Sequence, residues 1–171
     1  MKLLIVIDVQ NDFITGPLGS KEAQHIIPLI KERIETYINN GDKVVFTRDT
    51  HTADYLNSLE GHYLPVSHCI EDTEGWEVVP ELAPYVVQAF NKSRFGLPKL
   101  KDLSIGNFDN KYESIELVGV CTDICVISNA LILKANTDIP VIVNSSCCAG
   151  TNPTKHWEAI DVMKSCQVEV I

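Results

Sequence analysis

The sequence predicts an α/β protein with a mostly parallel sheet of about six strands and helices on both faces of that sheet. Short segments rich in β-branched residues alternate with helical patterns along the chain, which is the order expected of parallel strands joined by helices. The strand segments are apolar throughout, as in strands covered on both faces. No repeat, low-complexity tract or interdomain linker interrupts this order, so residues 1–171 are expected to form one domain.

The predicted strands are short and are recognised by their β-branched residues and by the turn-forming residues around them. In chain order they span residues 3–7, 43–47, 85–90, 115–120, 140–143 and 168–171. Because each is apolar on both of its faces, none is expected to lie with one face open to water.

Three helical segments accompany these strands. The first carries an isoleucine every four residues, at Ile26, Ile30, Ile34 and Ile38. This stripe is expected to lie on the sheet, and the Asn-Asn-Gly segment at 39–41 is its expected C-terminal cap. Residues 123–135 are apolar nearly all round, so that helix is expected to be covered on most sides. Asn152 and Pro153 are suited to the N-cap and first position of a helix that runs through Met163.

The composition excludes two classes of partner. A formal net charge of -9 disfavours nucleic acid and anionic membrane surfaces. No apolar run approaches the roughly 20 residues of a membrane span.

Asp8 interrupts the first apolar run before any cleavage site of an export signal. The six cysteines are therefore expected to be free thiols in a cytoplasmic protein rather than three disulfides.

Polar side chains follow four consecutive predicted strands. They are Asp8 after the first, Asp49 and His51 after the second, Lys92 after the third, and Cys121 and Cys125 after the fourth. In open parallel sheets, ligands bind in the crevice beyond the carboxyl ends of the strands. These side chains are therefore expected to meet at one edge of the sheet and to form the functional site.

Cys125 has the surroundings of a catalytic thiol. Thr122 is suited to cap the following helix, which places Cys125 in its first turn, where the helix dipole favours a thiolate. A nearby Lys92 would lower the thiol pKa further, and Asp8 could take the thiol proton as a general base. Backbone N–H groups of residues 120–125 could hold the oxyanion of an attacked carbonyl.

Other interpretations of these cysteines stay open. Free cysteine is among the most buried residue types, so Cys121 and Cys125 could be small core residues. They are also one helical turn apart, as a redox pair or a metal-binding pair would be. The other four cysteines are assigned to the core.

Five segments together resemble the nicotinamidase/isochorismatase-like cysteine hydrolases. They are D-V-Q-N-D-F at 8–13, T-R-D-T-H at 47–51, P-V-S-H-C at 65–69, F-N-K-S-R-F at 90–95 and G-V-C-T-D-I-C at 119–125. They occur in the order of the family and cover nearly the whole chain. The resemblance implies a three-layer α/β sandwich that hydrolyses small molecules. Cys125 favours the nicotinamidase/pyrazinamidase-like amidase branch, because isochorismatases themselves typically lack this cysteine.

Carried over position by position, the resemblance assigns the catalytic roles. Cys125 is the nucleophile, Asp8 is its general base, and Lys92 lies close to both. The family has a non-proline cis peptide at the position of Val120 and Cys121. The backbone N–H groups of Cys121 and Cys125 then form the oxyanion hole, and the reaction passes through a thioester on Cys125.

The resemblance also implies a divalent metal ion and no organic cofactor. Asp49, His51 and His68 match three ligands, and Glu60 stands where some members have a carboxylate ligand. This set suits Zn, Mn or Fe, and in the family the ion is thought to take the pyridine nitrogen of nicotinamide. Alternatively, Asp49 could cap a turn and His51 could be an ordinary surface histidine, as His25 and His156 are expected to be.

The expected pocket departs from the family pattern in three places. Phe13 matches one aromatic wall, but Leu64 takes the position where nicotinamidases usually have a second aromatic residue. Arg94 follows the lysine, where it would either favour an anionic substrate or point to solvent. Cys121 replaces a small residue and could form an inactivating disulfide with Cys125.

The resemblance makes hydrolysis of nicotinamide to nicotinate and ammonia, in NAD salvage, the first expectation. An amidase for another small amide or ureido compound, with a weak or empty metal site, is the alternative in the same superfamily. A non-catalytic, redox-responsive binding protein on this scaffold is the alternative from another class. The expected partner is a small-molecule amide, and because family members often associate, a homo-oligomer is compatible with the resemblance.

Overall fold

Six parallel strands form one sheet in the part of the chain that the computed structural model describes, residues 1–97 and 112–171. The strands are β1 (Leu3–Ile7), β2 (Lys43–Asp49), β3 (Ala89–Lys92), β4 (Ile115–Val120), β5 (Val141–Ala149) and β6 (Glu169–Val170). Their order is β3-β2-β1-β4-β5-β6, and every neighbouring pair is parallel. The predicted parallel sheet of about six strands is therefore confirmed.

Helices cover both faces of this sheet. They are α1 (Asn11–Ile14), α2 (Lys21–Asn39), α3 (Leu59–Tyr63), α4 (Ile127–Asn136) and α5 (Pro153–Ser165), with short 3₁₀ segments at Tyr55–Asn57, Glu74–Trp76 and Ala83–Tyr85. Leu4 and Val6 of β1 belong to the apolar cluster of α2, whereas Leu3 and Ile5 belong to the cluster of α4 and α5. Because successive strand residues point to opposite faces, one strand serves both cores and the chain forms three layers.

The isoleucine stripe of α2 contacts the core through three of its four members. Ile26, Ile30 and Ile34 are buried, but Ile38 is 48% exposed. Each step of four residues turns about 40° beyond a full helical turn, so three steps carry Ile38 away from the sheet. Tyr37 is buried there instead. No helix within residues 1–97 and 112–171 has both the length and the apolar character needed to cross a membrane.

The predicted cap at the end of α2 is present. Gly41 adopts a φ of 74°, and its N–H donates to the carbonyl of Ile38 at 3.0 Å. The N–H of Asp42 donates to the carbonyl of Tyr37 at 2.9 Å, which completes a Schellman-type ending. The chain can therefore turn sharply from α2 into β2.

Four predicted strands have different bounds in the structure, and the third and the fifth differ most. Residues 85–90 were expected to be extended, but Tyr85 ends a 3₁₀ segment that contains a proline, and β3 covers Ala89–Lys92. Proline fixes φ near helical values, which favours this turn. Strand β5 continues to Ala149, beyond the predicted end at residue 143. Its polar residues have hydrogen-bond partners there; for example, the backbone N–H of Ser145 donates to the carbonyl of Ile171 at 2.7 Å.

Helix α5 begins as predicted. The side chain of Asn152 accepts from the N–H of Lys155 at 2.9 Å, and Pro153 is the first helical residue. His156, however, is only 8% exposed, so its predicted place on the helix surface is wrong. Its ring faces Thr122, which lies beyond the end of β4, rather than solvent.

Strands β1 and β4 lie side by side at the centre of the sheet, and the strand order runs outward from them in opposite directions. This is a topological switch point, and a crevice is expected at the carboxyl ends of these two strands. Gly119 lets the strands approach, because a Cβ atom there would lie 2.1 Å from the carbonyl oxygen of Ile7. Its φ of 123° is also suited to glycine.

Replacing these two glycines should separate a conformational effect from a steric one. Gly41 has a positive φ, but within the described residues no atom lies within 4 Å of the position that a Cβ would take. Gly41→Ala should therefore cost only the backbone strain and lower the free energy of unfolding by about 1 kcal/mol. Gly119→Ala adds a backbone collision and should lower it by about 3 kcal/mol or more. Urea denaturation measures both values, and equal losses would contradict the steric role of Gly119.

Candidate active site

Asp8 lies buried at the end of β1, where the backbone turns out of the strand with a φ of 51°. The hydroxyl of Thr47, from β2, donates to Oδ1 of Asp8 at 2.6 Å. Oδ2 lies 2.7 Å from Nζ of Lys92 but has no donor in hydrogen-bonding alignment within residues 1–97 and 112–171. One oxygen of this carboxylate is therefore fixed, and the other can accept a proton.

Lys92 brings three side chains together. It ends β3 opposite Asp49, the last residue of β2, and its side chain is buried. Its Nζ lies 2.7 Å from Asp8 Oδ2, 3.4 Å from Asp49 Oδ1 and 3.6 Å from Cys125 Sγ. Burial opposes the charge on Lys92, but the carboxylates of Asp8 and Asp49 outweigh it and raise the pKa of the ammonium. Lys92 is therefore a fixed positive charge between base and thiol.

Cys125 lies in a π-helical turn, Thr122–Val126, between β4 and α4. The N–H of Val126 donates to the carbonyl of Cys121, five residues earlier, at 3.1 Å. Cys121 is the N-cap, and the prediction that Thr122 caps this helix is wrong, because its hydroxyl instead bonds the ring of His156. The peptide bond between Val120 and Cys121 is cis.

The resting thiol of Cys125 has the opposite pKa shift from the one expected from the sequence. Burial raises its pKa well above the usual value, the charge of Asp8 raises it further, and Lys92 lowers it. Burial also raises the pKa of Asp8, against the opposing charge of Lys92. The helix start and the lysine therefore do not outweigh burial, and the resting group is a neutral thiol beside the carboxyl group of Asp8.

A cavity of about 460 Å³ opens onto Cys125. Phe13 and Leu64, the two wall residues predicted from the sequence, both line it. Phe95 and Ile124 line it as well and were not predicted, although Phe95 closes the F-N-K-S-R-F segment that was singled out. The cavity is mainly apolar, with the thiol at one wall and carboxylate and imidazole groups at another.

The other two departures from the family pattern have different outcomes. Arg94 is exposed, donates to the carbonyl of Ser93 at 2.6 Å and does not line the cavity, which favours the solvent alternative. Cys121 does line the cavity, and it is a free thiol. Burial and the charge of Asp123 raise its pKa to about 12, so its side chain is neutral near pH 7.

Asp49, His51, Glu60 and His68 come together beside the thiol, as the resemblance predicted. Their ligand atoms all lie within 4.8 Å of one another. Asp49 Oδ2 is 2.9 Å from His51 Nε2 and 3.5 Å from His68 Nε2, and Glu60 Oε1 is 3.8 and 3.9 Å from the same two nitrogens. Ligands about 2.1 Å from a tetrahedral zinc are separated by roughly 3.4 Å, so these donors fit a divalent ion.

The surroundings of these donors also suit a metal ion. Nδ1 of His68 donates to the carbonyl of Val66 at 2.8 Å, which turns Nε2 toward Asp49; Nε2 is therefore the nitrogen that would bind an ion once it has lost its proton. Burial opposes the charge of Asp49, but hydrogen bonds from His51 and His68 outweigh it and lower the pKa of the carboxyl. A donor set of two imidazoles and two carboxylates suits Zn, Mn or Fe.

The D-V-Q-N-D-F segment also supports this cluster through residues to which the sequence assigned no role. Gln10 is buried, and its side chain bonds both the N–H and the carbonyl of Asp49 at 2.8 Å. Asp12 accepts from the N–H of Cys69 at 2.7 Å, next to His68. Gln10 thus fixes the backbone of Asp49, and Asp12 fixes that of the residue after His68. A polar glutamine three residues after a buried strand was the available signal.

The fold and the site together define a three-layer α/β hydrolase whose cavity holds a buried cysteine and a divalent-metal donor set. The chain belongs to the isochorismatase family, because the family model of the isochorismatase domain matches residues 2–171.

Individual relatives agree with this assignment. An uncharacterised isochorismatase family protein of Bacillus subtilis, PncA, is 30% identical over 174 residues, covering 93% of this chain and 92% of that protein. The crystal structure of nicotinamidase/pyrazinamidase PncA from Bacillus subtilis has a TM-score of 0.85 and 29% identity, covering 99% of each chain. The pyrazinamidase of Pyrococcus horikoshii, in complex with zinc, has a TM-score of 0.83 and 26% identity, covering 99% of this chain and 98% of that one.

Alkylation of the metal-free protein by iodoacetamide should report the raised pKa of Cys125. At pH 7 Cys125 should react more slowly than Cys166, which is exposed and not in the core as predicted from the sequence. Asp8→Asn removes a negative charge that raises the pKa of the Cys125 thiol, whereas Lys92, which lowers this pKa, stays in place. The thiolate fraction of Cys125 and its alkylation rate should therefore rise. Each pKa unit changes that fraction about tenfold. Peptide mapping by mass spectrometry measures each site, and Cys166 should not change. Fast alkylation of wild-type Cys125, with no response to Asp8→Asn, would contradict this assignment.

Purified protein should bind about one divalent ion per chain, because four donors of suitable chemistry converge there. Saturating zinc at about one hundred times Kd should add about 2.7 kcal/mol to the free energy of unfolding. His68→Ala should weaken binding by about a hundredfold or more. His62→Ala, on the same helix as Glu60 but outside the cluster, is the matched control. Titration calorimetry measures the metal affinity of both variants, and equal affinities for His68→Ala and His62→Ala would exclude the site.

Proposed function

We propose that this chain hydrolyses the amide of a small heteroaromatic molecule, with nicotinamide the first candidate, to a carboxylate and ammonia. The observation that carries the proposal is the position of Lys92 Nζ between Asp8, Asp49 and Cys125 Sγ. A nucleophile, its base and a fixed positive charge thereby lie at one cavity with a metal donor set. The names of the relatives, nicotinamidase and pyrazinamidase, support the same class of substrate.

In the first half of the reaction Sγ of Cys125 attacks the amide carbon and the thiol proton passes to Oδ2 of Asp8. Oδ2 is suited to this role because Thr47 occupies only the other oxygen. A carbon–sulfur bond forms, and the carbonyl electrons move to oxygen. The N–H groups of Cys121 and Cys125, both of which belong to residues that line the cavity, would hold that oxyanion.

In the second half the proton on Asp8 passes to the leaving nitrogen, the carbon–nitrogen bond breaks, and ammonia departs. A thioester on Cys125 remains. Water then attacks the thioester carbon while Asp8 takes one water proton. The carbon–sulfur bond breaks, the proton on Asp8 returns to sulfur, and the carboxylic acid product gives its remaining water-derived proton to bulk solvent as it leaves as a carboxylate. Each proton thus has a stated donor and acceptor, and the site ends as it began.

Lys92 contributes electrostatics rather than proton transfer. Its raised pKa keeps the ammonium charged, so it is not an acid at neutral pH. It lies 3.6 Å from Sγ, where it stabilises negative charge as sulfur loses its proton. A resting neutral thiol that becomes charged only beside a fixed cation gives a stronger interaction in the transition state than in the ground state.

The cavity favours a flat, uncharged ring as substrate. Phe13, Leu64 and Phe95 line it with apolar surface, and no arginine of the described residues lines it. Asp49, His51, Glu60 and His68 would hold a divalent ion, which when bound supplies a Lewis acid for the lone pair of a ring nitrogen. With nicotinamide as substrate, the reaction would serve NAD salvage; pyrazinamide has the same amide and a comparable ring.

Ammonia release from nicotinamide by the zinc- or manganese-loaded protein tests the proposal. Wild type should turn over, and Cys125→Ala should lose at least about 10⁴-fold in kcat, because removing the nucleophile removes the thioester route. Asp8→Asn should show a loss of similar order. Cys166→Ala, at an exposed thiol remote from the cavity, is the matched control and should keep wild-type kcat.

Two results would contradict parts of this proposal. Turnover that survives in Cys125→Ala would remove the cysteine from the mechanism. Absence of turnover in metal-loaded wild type would reject nicotinamide. A panel of other small amides and ureido compounds would then separate the alternative amidase from a binding protein without catalysis.

A further inference from the structure

His156 lies on α5, outside the cavity that holds Cys125, yet it is tied to the turn that carries the nucleophile. Its Nδ1 is 2.8 Å from Oγ1 of Thr122, and both side chains are buried. Thr122 is the first residue of the π-helical turn and stands three residues before Cys125. We propose that His156 is a positioning residue, which holds the nucleophile in attacking geometry through Thr122. The proposal rests on the proposed function for its main readout.

Few other side-chain hydrogen bonds hold the π-helical turn among the residues that the structure describes; one is from the amide of Asn129, on α4, to the carbonyl of Cys125 at 2.8 Å. Its N-cap residue, Cys121, makes no side-chain capping bond. Asp123 accepts from the N–H and hydroxyl of Thr151, at 2.8 and 2.6 Å, but that bond is exposed. The Thr122–His156 bond is buried, where a hydrogen bond is stronger and its loss leaves unpaired polar groups. It links the turn directly to α5, whereas Thr151 precedes that helix.

The place of Thr122 in the turn makes this link relevant to catalysis. Thr122 stands between Cys121, whose N–H is assigned to the oxyanion, and Cys125, which supplies both the thiol and the second N–H. A displacement of Thr122 moves both parts of the reacting geometry at once. Misplacement of about 1 Å can cost about a hundredfold in rate, without a comparable change in ground-state binding.

Burial lowers the pKa of His156, although the charge of Asp123 opposes this. The ring is therefore neutral at neutral pH and bonds Thr122 as a neutral partner. His156 also faces Trp157, whose ring centroid lies 4.8 Å away, and this contact fixes the plane of the imidazole. A neutral amide placed at the position of Nδ1 should replace the imidazole in the bond.

The test uses the different reach of two amides. His156→Asn places an amide at the position of Nδ1 and should keep kcat within about threefold of wild type. His156→Gln places it one atom further out and should lower kcat about ten- to a hundredfold, with KM within about twofold. Thr122→Ser should resemble the asparagine variant, and Thr122→Val should resemble the glutamine variant. His25→Gln is the control. His25 is exposed and lines a second cavity, which His156 also lines, and kcat and KM of this variant should equal those of wild type.

The double variant Thr122→Val/His156→Gln decides whether the two residues act as one unit. Its kcat should be no lower than that of the worse single variant, because both changes break the same bond. Losses that multiply, or a glutamine variant with wild-type kcat and KM, would overturn the proposal. Equal losses in the asparagine and glutamine variants, together with a lowered unfolding midpoint in both, would also overturn it, because they would indicate a structural role only.

Site-specific alkylation of Cys125 separates this proposal from the proposed function. The alkylation rate of Cys125 relative to Cys166 needs no amide substrate. The proposal expects this ratio to change in His156→Gln and Thr122→Val and to stay at the wild-type value in His156→Asn and Thr122→Ser. If no amide is turned over but this pattern is found, the proposed function fails and the positioning role stands. An unchanged ratio in all four variants would overturn the positioning role whatever the substrate.

Discussion

The buried ammonium of Lys92 is the charge on which the rest of the site depends. Two buried carboxylates, Asp8 and Asp49, lie 2.7 and 3.4 Å from it. Without this positive charge the two carboxylates would face each other with no cation between them, and burial would favour a proton on Asp8. Asp8 would then lose its capacity as a base. The same ammonium is 3.6 Å from the sulfur, so one side chain favours the charged form of the proposed base and would stabilise the thiolate formed in the proposed reaction.

The parallel sheet is what makes this arrangement available. Asp8, Asp49 and Lys92 come from the ends of three adjacent strands, and Cys125 comes from the turn after a fourth. In register, Asp49 pairs with Lys92, which places their side chains at one edge. A charge network spread over four chain segments cannot form until the central strands are paired. The fold therefore supplies the desolvation that makes the thiol neutral as well as the cation that compensates for it.

Much of this could be predicted from sequence because strand ends are marked by a change from apolar to polar residues. Asp8, Asp49, His51, Lys92 and Cys125 were all found in this way, and the other two metal donors, Glu60 and His68, came from the resemblance. The pKa direction of Cys125 could not be predicted, because it depends on how completely the thiol is desolvated in three dimensions.

Local capping chemistry was misleading at Thr122 for a related reason. Its hydroxyl has the right type for an N-cap, but a buried imidazole from α5 competes for it. That competitor is more than thirty residues away in the chain, and only tertiary packing brings the two together. The exposed Ile38 and the shortened third strand are smaller errors: the first arises because a four-residue spacing rotates around the helix, the second because the strand was extended back into a proline-containing turn.

Asp49 joins the two halves of the site into one electrostatic unit. Its Oδ1 faces Lys92, whereas its Oδ2 faces His51 and His68. The charge of Asp49 raises the pKa of the Cys125 thiol, so any change at this carboxylate alters metal affinity and nucleophile together. A variant of Asp49 therefore cannot assign a loss of activity to either half. Glu60 and His68 have no ion pair with Lys92 within the described part of the chain, and substitutions there act on the donor set while leaving the base, the cation and the thiol in place.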